Sequence, residues 1–322
     1  MILSLHHVTA TVDDAQEDLD FCLGGLGLRL VKKTVNFDNH HVYHFYYGDE
    51  RGTPGTLWTT FPYKSRGVKP GAKGAGQVTA TSFSVPVGSL DRWKTRLRAR
   101  GLEVADEAPR FGEEALRVAD PSGLVFELIA TDGDARTPWA RGGVAAGVAI
   151  RGLHSVTLLV REPAKTLELM TGLLGFAVVD EAEGRIRVAV SGGGAGRIMD
   201  IRHDPDADAA VNGLGTVHHV AMAVAGDDDQ VRLREELLQF GCKVTEVRDR
   251  CYFKSIYFRE PGGVLFEVAT IRPGFLADES VATLGQALKL PPWEEANRAD
   301  IEAALVPIHP AHSRRCHSFG SR

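Results

Sequence analysis

Two pairs of adjacent histidines and one later glutamate are the residues of this sequence with the clearest potential for chemistry. The pairs lie in two similar segments, LHHVTATV at 5–12 and VHHVAMAV at 217–224, and the glutamate lies in PGGVLFEV at 261–268. Two histidines and one carboxylate are the usual protein ligands of non-haem Fe(II), and they leave positions open for oxygen and substrate. The three segments therefore indicate a metal site, provided that the fold brings them together.

Alternation along the three segments, which we predict to be strands, selects one histidine from each pair. Successive side chains of a strand point to opposite faces, and the bulky aliphatic side chains are expected to pack on helices. His7, His219 and Glu267 lie on the other faces of their strands, whereas His6 and His218 are turned away from the predicted site. A single histidine in a strand is more often hydrogen-bonded in the core or exposed than bound to a metal. The same pair of histidines stands at the same point of two similar segments, and this repetition favours metal binding over a purely structural role.

The chain contains four copies of one βαβββ unit. Segments similar to LHHVTATV recur as LHSVTLLV at 153–160 and, more weakly, as TATSFSV at 79–85. Each of the four is followed by a helix-like stretch that ends near a glycine, and each unit closes with a strand after a turn. One unit alone would leave a sheet edge and a sheet face uncovered. We therefore predict an α+β fold in which four βαβββ modules pair into two curved sheets with helices on their convex sides. The predicted modules span residues 3–65, 77–130, 152–203 and 216–272.

The spacing of the modules also predicts the domain organisation. A stretch rich in Gly, Pro and Ala separates the second and third modules and indicates a linker. After residue 271 the pattern lapses into an extension with one helix near 294–305 and a frayed end. The predicted divisions are an N-terminal domain over 1–135, the linker over 136–150, a C-terminal domain over 151–275 and the extension over 276–322.

The pairing of the modules decides whether a metal site forms. If modules that are neighbours in the chain share a sheet, neither hollow receives two histidines and a carboxylate. If module one pairs with module four and module two with module three, the first hollow collects both histidines and the glutamate. The second hollow then receives Glu127 and Asp200 without a histidine, and Glu127 is expected to be a salt-bridge partner. We therefore predict that strand 5–12 lies beside strand 217–224.

Composition and charge exclude several other classes of function. The 322 residues carry a formal net charge of −5, so the chain has no broad basic field of the kind that binds nucleic acid. No apolar run approaches the roughly 18 residues that span a bilayer, and no signal peptide is recognisable. The four cysteines show neither CxxC pairs nor framework spacing, which is typical of free thiols. We expect a cytoplasmic protein without nucleic-acid or membrane partners, and the sequence leaves homo-oligomer formation open.

Several segments resemble a known family of enzymes. They are LHHVTA at the start, YHFYYGDERGTPGTLWTTFP (43–62), GSLDRW (88–93), RFGEEALRVADPSGLVFEL (110–128) and DRCYFKSIYFREPGGVLFEV (249–268). Together they resemble the hydroquinone and chlorohydroquinone ring-cleaving dioxygenases of the vicinal-oxygen-chelate superfamily, which also includes glyoxalases and bleomycin-resistance proteins. The resemblance covers nearly all of residues 3–290.

The resemblance carries expectations about substrates and residues. It implies Fe(II) on His7, His219 and Glu267, with O2 and a para-diol as substrates and ring opening next to a hydroxyl-bearing carbon. It also implies functional residues around the metal and the substrate at His6, Thr9, His218, Arg250 and Tyr257. Thr9 agrees with the alternation, whereas His6 and His218 would support the ligands from behind. Arg250 is expected to offset negative charge, and Tyr257 to contact the second hydroxyl or pass a proton.

Two alternatives remain open at this point. A glyoxalase-type isomerase on the same fold would need a second carboxylate as a base, whereas module one has Thr59 at the position equivalent to Glu267. A metal-free module that binds or sequesters small molecules would have no reason to turn two histidines and a glutamate inward. The remaining histidines show no comparable pattern and are interpreted as structural or exposed. They are His40, His41, His44, His203, His309, His312 and His317.

Overall fold

The computed structural model describes residues 1–182 and 184–309. The strands are β1 (Ser4–Val12), β2 (Arg29–Asn36), β3 (Asn39–Gly48), β4 (Leu57–Pro62), β5 (Gln77–Pro86), β6 (Val104–Arg110), β7 (Glu113–Ala119), β8 (Val125–Thr131), β9 (Gly152–Val160), β10 (Ala177–Ala182), β11 (Arg185–Ala189), β12 (Ile198–His203), β13 (Thr216–Val224), β14 (Arg248–Asp249), β15 (Lys254–Arg259) and β16 (Leu265–Thr270). The α-helices are α1 (Ala15–Leu19), α2 (Leu90–Arg98), α3 (Ala164–Gly172), α4 (Asp227–Phe240) and α5 (Arg298–Ala304).

The strands form two eight-stranded sheets that combine distant parts of the chain. The first sheet has the order β14-β15-β16-β13-β1-β4-β3-β2, and the second has the order β10-β11-β12-β9-β5-β8-β7-β6. Module one therefore shares a sheet with module four, and module two shares a sheet with module three. The predicted pairing is confirmed, because β1 lies antiparallel to β13 at the centre of the first sheet. Each sheet takes four strands from residues 1–135 and four from residues 151–275, so neither sheet lies within one of the predicted chain-order domains.

Local sequence signals set the ends of two helices. Asp14 caps α1 by accepting hydrogen bonds from the backbone N–H groups of Gln16 and Glu17, which leaves fewer helix donors unpaired. At the C-terminal end of α4, Gly241 adopts φ +99°, a left-handed conformation that glycine reaches at low cost. The position of Gly241 agrees with the prediction that each helix-like stretch ends near a glycine.

The convex faces of the two sheets and the helices share one continuous apolar core. Val8 on β1 and Val220 on β13 are fully buried in it, as the alternation predicted. Trp58 of the first sheet contacts Phe126 of the second, with ring centroids 4.8 Å apart. Burial of this surface stabilises the pair of sheets, and it leaves the polar faces of the central strands to line the two hollows.

The hollow of the second sheet is occupied by ion pairs. Arg110 donates to Glu127, and Arg187 Nε donates to Asp200 Oδ1 at 2.8 Å. Burial alone would raise the pKa of Glu127, but the hydrogen bonds and charge of Arg110 lower it. The expectation that Glu127 is a salt-bridge partner is confirmed. Guanidinium groups thus supply the positive charge that faces the carboxylates in this hollow.

The C-terminal extension packs against the first sheet. The fully buried ammonium of Lys32 pairs with Asp278 and Glu279 at its beginning. The predicted helix near 294–305 corresponds to a 3-10 turn at Pro292–Asn297 followed by α5. The frayed end and Cys316 fall in 310–322, outside the described residues. No helix in the described part of the chain is long and apolar enough to cross a membrane.

Candidate metal centre

Three strands of the first sheet bring His7, His219 and Glu267 together. His7 Nε2 lies 3.2 Å from His219 Nε2 and 3.3 Å from Glu267 Oε2, and His219 Nε2 lies 2.8 Å from the same oxygen. Ligands about 2.1 Å from a metal at angles of about 90–110° lie about 3.0–3.4 Å apart, so the triangle has the size of a metal's coordination face. It is the one group of three potential ligand residues found in the described residues.

The carboxylate of Glu267 has the surroundings that a cation requires. Its Oε1 accepts a hydrogen bond from Ser255, but Oε2 is buried, and its geometry towards His219 is not that of a hydrogen bond. Burial would raise the pKa of this carboxyl group, but the charges of His7 and His219 hold it well below its usual range. Burial lowers the pKa of His219. The lowered pKa keeps the carboxyl group of Glu267 ionised, as a carboxylate must be to bind a metal.

Each of the two histidines in the potential metal site contacts the histidine that precedes it in the chain. The Nδ1 atoms of His6 and His7 are 2.9 Å apart, and those of His218 and His219 are 2.7 Å apart. When Nε2 of His7 or His219 faces a metal, its proton is on Nδ1, which then donates to Nδ1 of the neighbour. Burial, followed by the charge of the adjacent histidine, lowers the pKa of both neighbours to about 3, so they stay neutral acceptors.

The alternation was wrong about the side chains of His6 and His218. The pairing of β1 with β13 shifts between Leu5 and His7 and again between Thr9 and Ala10, which leaves His6 and His218 as the extra residues of two β-bulges. A bulge interrupts the regular alternation and re-aims a side chain. Both imidazoles therefore reach the neighbouring ligand, and His218 also lines the cavity beside the metal group.

A cavity of about 240 Å³ opens next to the three potential ligands. Its walls are largely aromatic, with Tyr46, Phe61, Tyr63, Phe253 and Tyr257 among the lining residues. A larger cavity of about 740 Å³ lies elsewhere, between Leu23, Trp139 and Leu284, and contains none of the three potential ligands. The smaller cavity is therefore the candidate site, because the three potential metal ligands line it.

Arg250 and Tyr257 lie together on one side of this cavity. Arg250 Nε donates to Tyr257 Oη at 3.1 Å, and its guanidinium also pairs with Asp38 at 3.0 Å. Burial lowers the pKa of Arg250, but Tyr257 and Asp38 raise it overall, so the group stays charged. Burial and the charge of Glu267, which faces Tyr257 across β15 and β16, raise the pKa of the tyrosine. The phenol is thus a neutral donor whose oxygen is already held by a guanidinium.

Thr9 does not line the cavity, and a histidine that sequence reasoning set aside does. Thr9 is fully buried with its hydroxyl 2.7 Å from Thr59 Oγ1, which lies 3.0 Å from Nε2 of the cavity-lining His44. Burial, then the charges of nearby groups, lowers the pKa of His44 well below its usual value. His44 is thus buried and lines the cavity, and the sequence did not indicate this position, because β3 has aromatic residues on both faces and alternation gave no signal there.

A family model described as the glyoxalase/bleomycin resistance protein/dioxygenase superfamily matches residues 4–128 and 152–268. The chain is 41% identical to the putative ring-cleaving dioxygenase MhqO of Bacillus subtilis, with 95% of this chain and 96% of the relative covered. It is 38% identical to the chlorohydroquinone/hydroquinone 1,2-dioxygenase of Sphingobium indicum, with 92% and 94% covered. The chain belongs to this superfamily, among its ring-cleaving dioxygenases.

Solved structures agree with this membership. A crystal structure of a putative dioxygenase from Bacillus subtilis superposes with a TM-score of 0.91 at 41% identity, covering 96% of this chain and 98% of that chain. Glyoxalase I from Zea mays has a TM-score of 0.62 at 13% identity, covering 83% and 92%, and shares the fold alone. The α+β fold of paired βαβββ modules is thereby confirmed.

Proposed function

We propose that this protein is an Fe(II)-dependent dioxygenase that opens the ring of hydroquinone-type para-diols with O2. The observation that carries the proposal is the buried triangle of two imidazole nitrogens and one carboxylate oxygen beside a small aromatic-walled cavity. The Sphingobium relative, named as a chlorohydroquinone/hydroquinone dioxygenase, supports the choice of substrate.

His7, His219 and Glu267 would hold the metal. Fe(II) would supply the binding of a diol oxygen and of O2, and the electron transfer that ring cleavage requires. The protein contributes the geometry: His6 and His218 fix the ligand imidazoles with Nε2 towards the metal. Such support typically changes metal affinity by about 10- to 100-fold.

Arg250 and Tyr257 would act on the substrate. The guanidinium lies beside the cavity, where it offsets negative charge that develops on the ring oxygens. Tyr257 Oη accepts from Arg250 Nε, so its own proton is directed elsewhere and is available to a substrate oxygen. The pair can therefore hold the second hydroxyl of a bound diol and move a proton there.

A para-diol fits this arrangement better than a catechol. Catechol offers two adjacent oxygens to one metal, whereas a para-diol offers only one and leaves the other at the far side of the ring. That second oxygen needs partners in the protein wall, and Arg250 with Tyr257 provides them.

We also propose a cytoplasmic location, supported by the free thiols of Cys22, Cys242 and Cys251.

The alternatives have less support from the site. A glyoxalase-type isomerase would need a second carboxylate, but Thr59 is engaged with Thr9 and His44. A metal-free binding protein would have no reason to gather two imidazole nitrogens and a buried carboxylate oxygen within 3.3 Å of one another.

The test is oxygen uptake by protein purified without oxygen and loaded with Fe(II). We expect hydroquinone to be turned over faster than catechol, with about one iron per chain by metal analysis. Mass spectrometry should find both atoms of labelled O2 in the ring-opened product. Faster turnover of catechol than of hydroquinone would refute the proposed substrate class. Turnover by protein without bound metal would refute the proposed dependence on a metal.

A further inference from the structure

His44 is the cavity-lining histidine that neither the metal group nor its supports include. We propose that His44 donates a hydrogen bond from Nδ1 to the substrate oxygen that the metal does not hold, and so helps to select substrates with a second oxygen. This inference rests on the proposed function, since it requires a para-diol in the cavity.

The ring of His44 is held between two aromatic neighbours. Its centroid lies 4.0 Å from that of Tyr46 and 4.3 Å from that of Phe61, and the residue is buried. Nε2 contacts Thr59, Nδ1 has no hydrogen-bonding partner in 1–182 and 184–309, and the residue lines the cavity. The ring of His44 is thus held by its neighbours, and Nδ1 is the nitrogen left for a group in the cavity.

A chain of two threonines determines which nitrogen carries the proton. Thr9 is fully buried, and its hydroxyl has Thr59 as its only hydrogen-bonding partner among the residues that the structure describes. A buried hydroxyl proton without an acceptor is costly, so Thr9 donates to Thr59, and Thr59 then donates to Nε2 of His44. A neutral imidazole that accepts at one nitrogen carries its proton on the other. Nδ1 of His44 is therefore a donor aimed at the cavity.

His44 and Tyr257 approach the cavity from opposite ends of the first sheet. His44 lies on β3 and Tyr257 on β15, and the metal-binding strands β16, β13 and β1 lie between them in the sheet order. A ring anchored at the metal by one oxygen thus has a donor on either side. Its second hydroxyl has two lone pairs and can accept from both.

Two substitutions of His44 separate its two nitrogens. The amide of Gln lies near the position of Nε2, so His44→Gln keeps the contact with Thr59 and loses the donor to the cavity. The amide of Asn lies near Nδ1, so His44→Asn keeps that donor. The measurement is calorimetric titration of the Fe(II)-loaded protein without oxygen, using hydroquinone and phenol as probes. Phenol lacks the second oxygen. The ratio of the Kd of phenol to the Kd of hydroquinone therefore measures how much the contacts with that oxygen contribute to binding.

We expect His44→Gln to lower this ratio by about 2- to 10-fold, the value of one hydrogen bond, and His44→Asn to stay within about 2-fold of wild type. Iron content and circular dichroism should not change. A merely structural histidine would weaken both probes equally, so a wild-type ratio in His44→Gln would overturn the proposal.

The threonine chain provides a second test if substitutions at His44 impair folding. Thr59→Val removes the hydroxyl that fixes the tautomer, and we expect the phenol-to-hydroquinone ratio to fall although His44 is intact. Thr81→Val is the matched control, because Thr81 is a buried strand threonine of the second sheet whose hydroxyl has no hydrogen-bonding partner among the described residues. Its ratio should equal that of wild type. An unchanged ratio in Thr59→Val would overturn the argument from the tautomer.

The two proposals fail in different ways. If wild-type protein neither binds nor turns over hydroquinone, the proposed function fails, and the role of His44 fails with it. If hydroquinone is turned over but His44→Gln and Thr59→Val keep the wild-type ratio, only the role of His44 is refuted.

Discussion

The histidine at each β-bulge offers a sharp test of how this sheet would hold the proposed metal. We predict that His6→Leu weakens Fe(II) binding without removing a ligand. The Nδ1 atoms of His6 and His7 are 2.9 Å apart, and both residues are buried. With a metal on Nε2 of His7, Nδ1 of His7 donates to His6, so the substitution leaves a buried N–H without an acceptor. Such a loss costs about 1–3 kcal/mol, or about 5- to 160-fold in affinity. His218→Leu should act in the same way on His219.

The second sheet supplies the control for this prediction. His154 is the extra residue of the corresponding bulge between β5 and β9, where it contacts Ser155 and Glu113. His154→Leu therefore removes a buried histidine from the same kind of bulge without touching the metal group. We expect its Fe(II) affinity to equal that of wild type.

The assay is competition for Fe(II) with a chelator of known affinity, in the absence of oxygen. His6→Asn should recover part of the loss, because its amide oxygen can accept the proton of His7. An Fe(II) affinity of His6→Leu within about 2-fold of wild type would refute the reasoning. An equal loss in His154→Leu would do so too, since it would assign the effect to general destabilisation.

Three further predictions concern the ligands, the substrate and pH. His7→Ala, His219→Ala and Glu267→Ala should each lose iron and turnover but keep the circular dichroism of the fold; full iron in one of them would remove that residue from the ligand set. Tyr257→Phe should lower kcat/KM for hydroquinone by about 2- to 10-fold, or more if the phenol passes a proton, with unchanged iron content. Burial raises the pKa of Asp120 to about 7, above its unfolded value, so its stabilising contribution is present below about pH 4 and lost as pH rises through 7. Between pH 5.5 and 7.5, wild type should therefore lose about 2 kcal/mol of unfolding free energy relative to Asp120→Asn, measured by urea denaturation. A difference between the two proteins that does not change with pH would contradict the raised pKa of Asp120.

Much of the fold and the centre of the site could be read from local patterns. Repetition of one βαβββ unit predicted the modules, because each unit needs a partner to cover its sheet edge and face. Alternation selected His7, His219 and Glu267, because a strand turns every second side chain to the same face. The requirement for two histidines and one carboxylate then chose the pairing that β1 and β13 adopt.

Other features depend on how distant strands meet. The bulges at His6 and His218 arise from the register between β1 and β13, which are separated by about 200 residues in the chain, and neither segment alone reveals them. The contact of His44 with Thr59 depends on the register between β3 and β4, which places Tyr46 opposite Thr59. Alternation is a property of one strand, whereas register, bulges and curvature are properties of strand pairs. The three potential ligands could therefore be selected from the sequence, and the side chains that contact and surround them were decided by the tertiary structure.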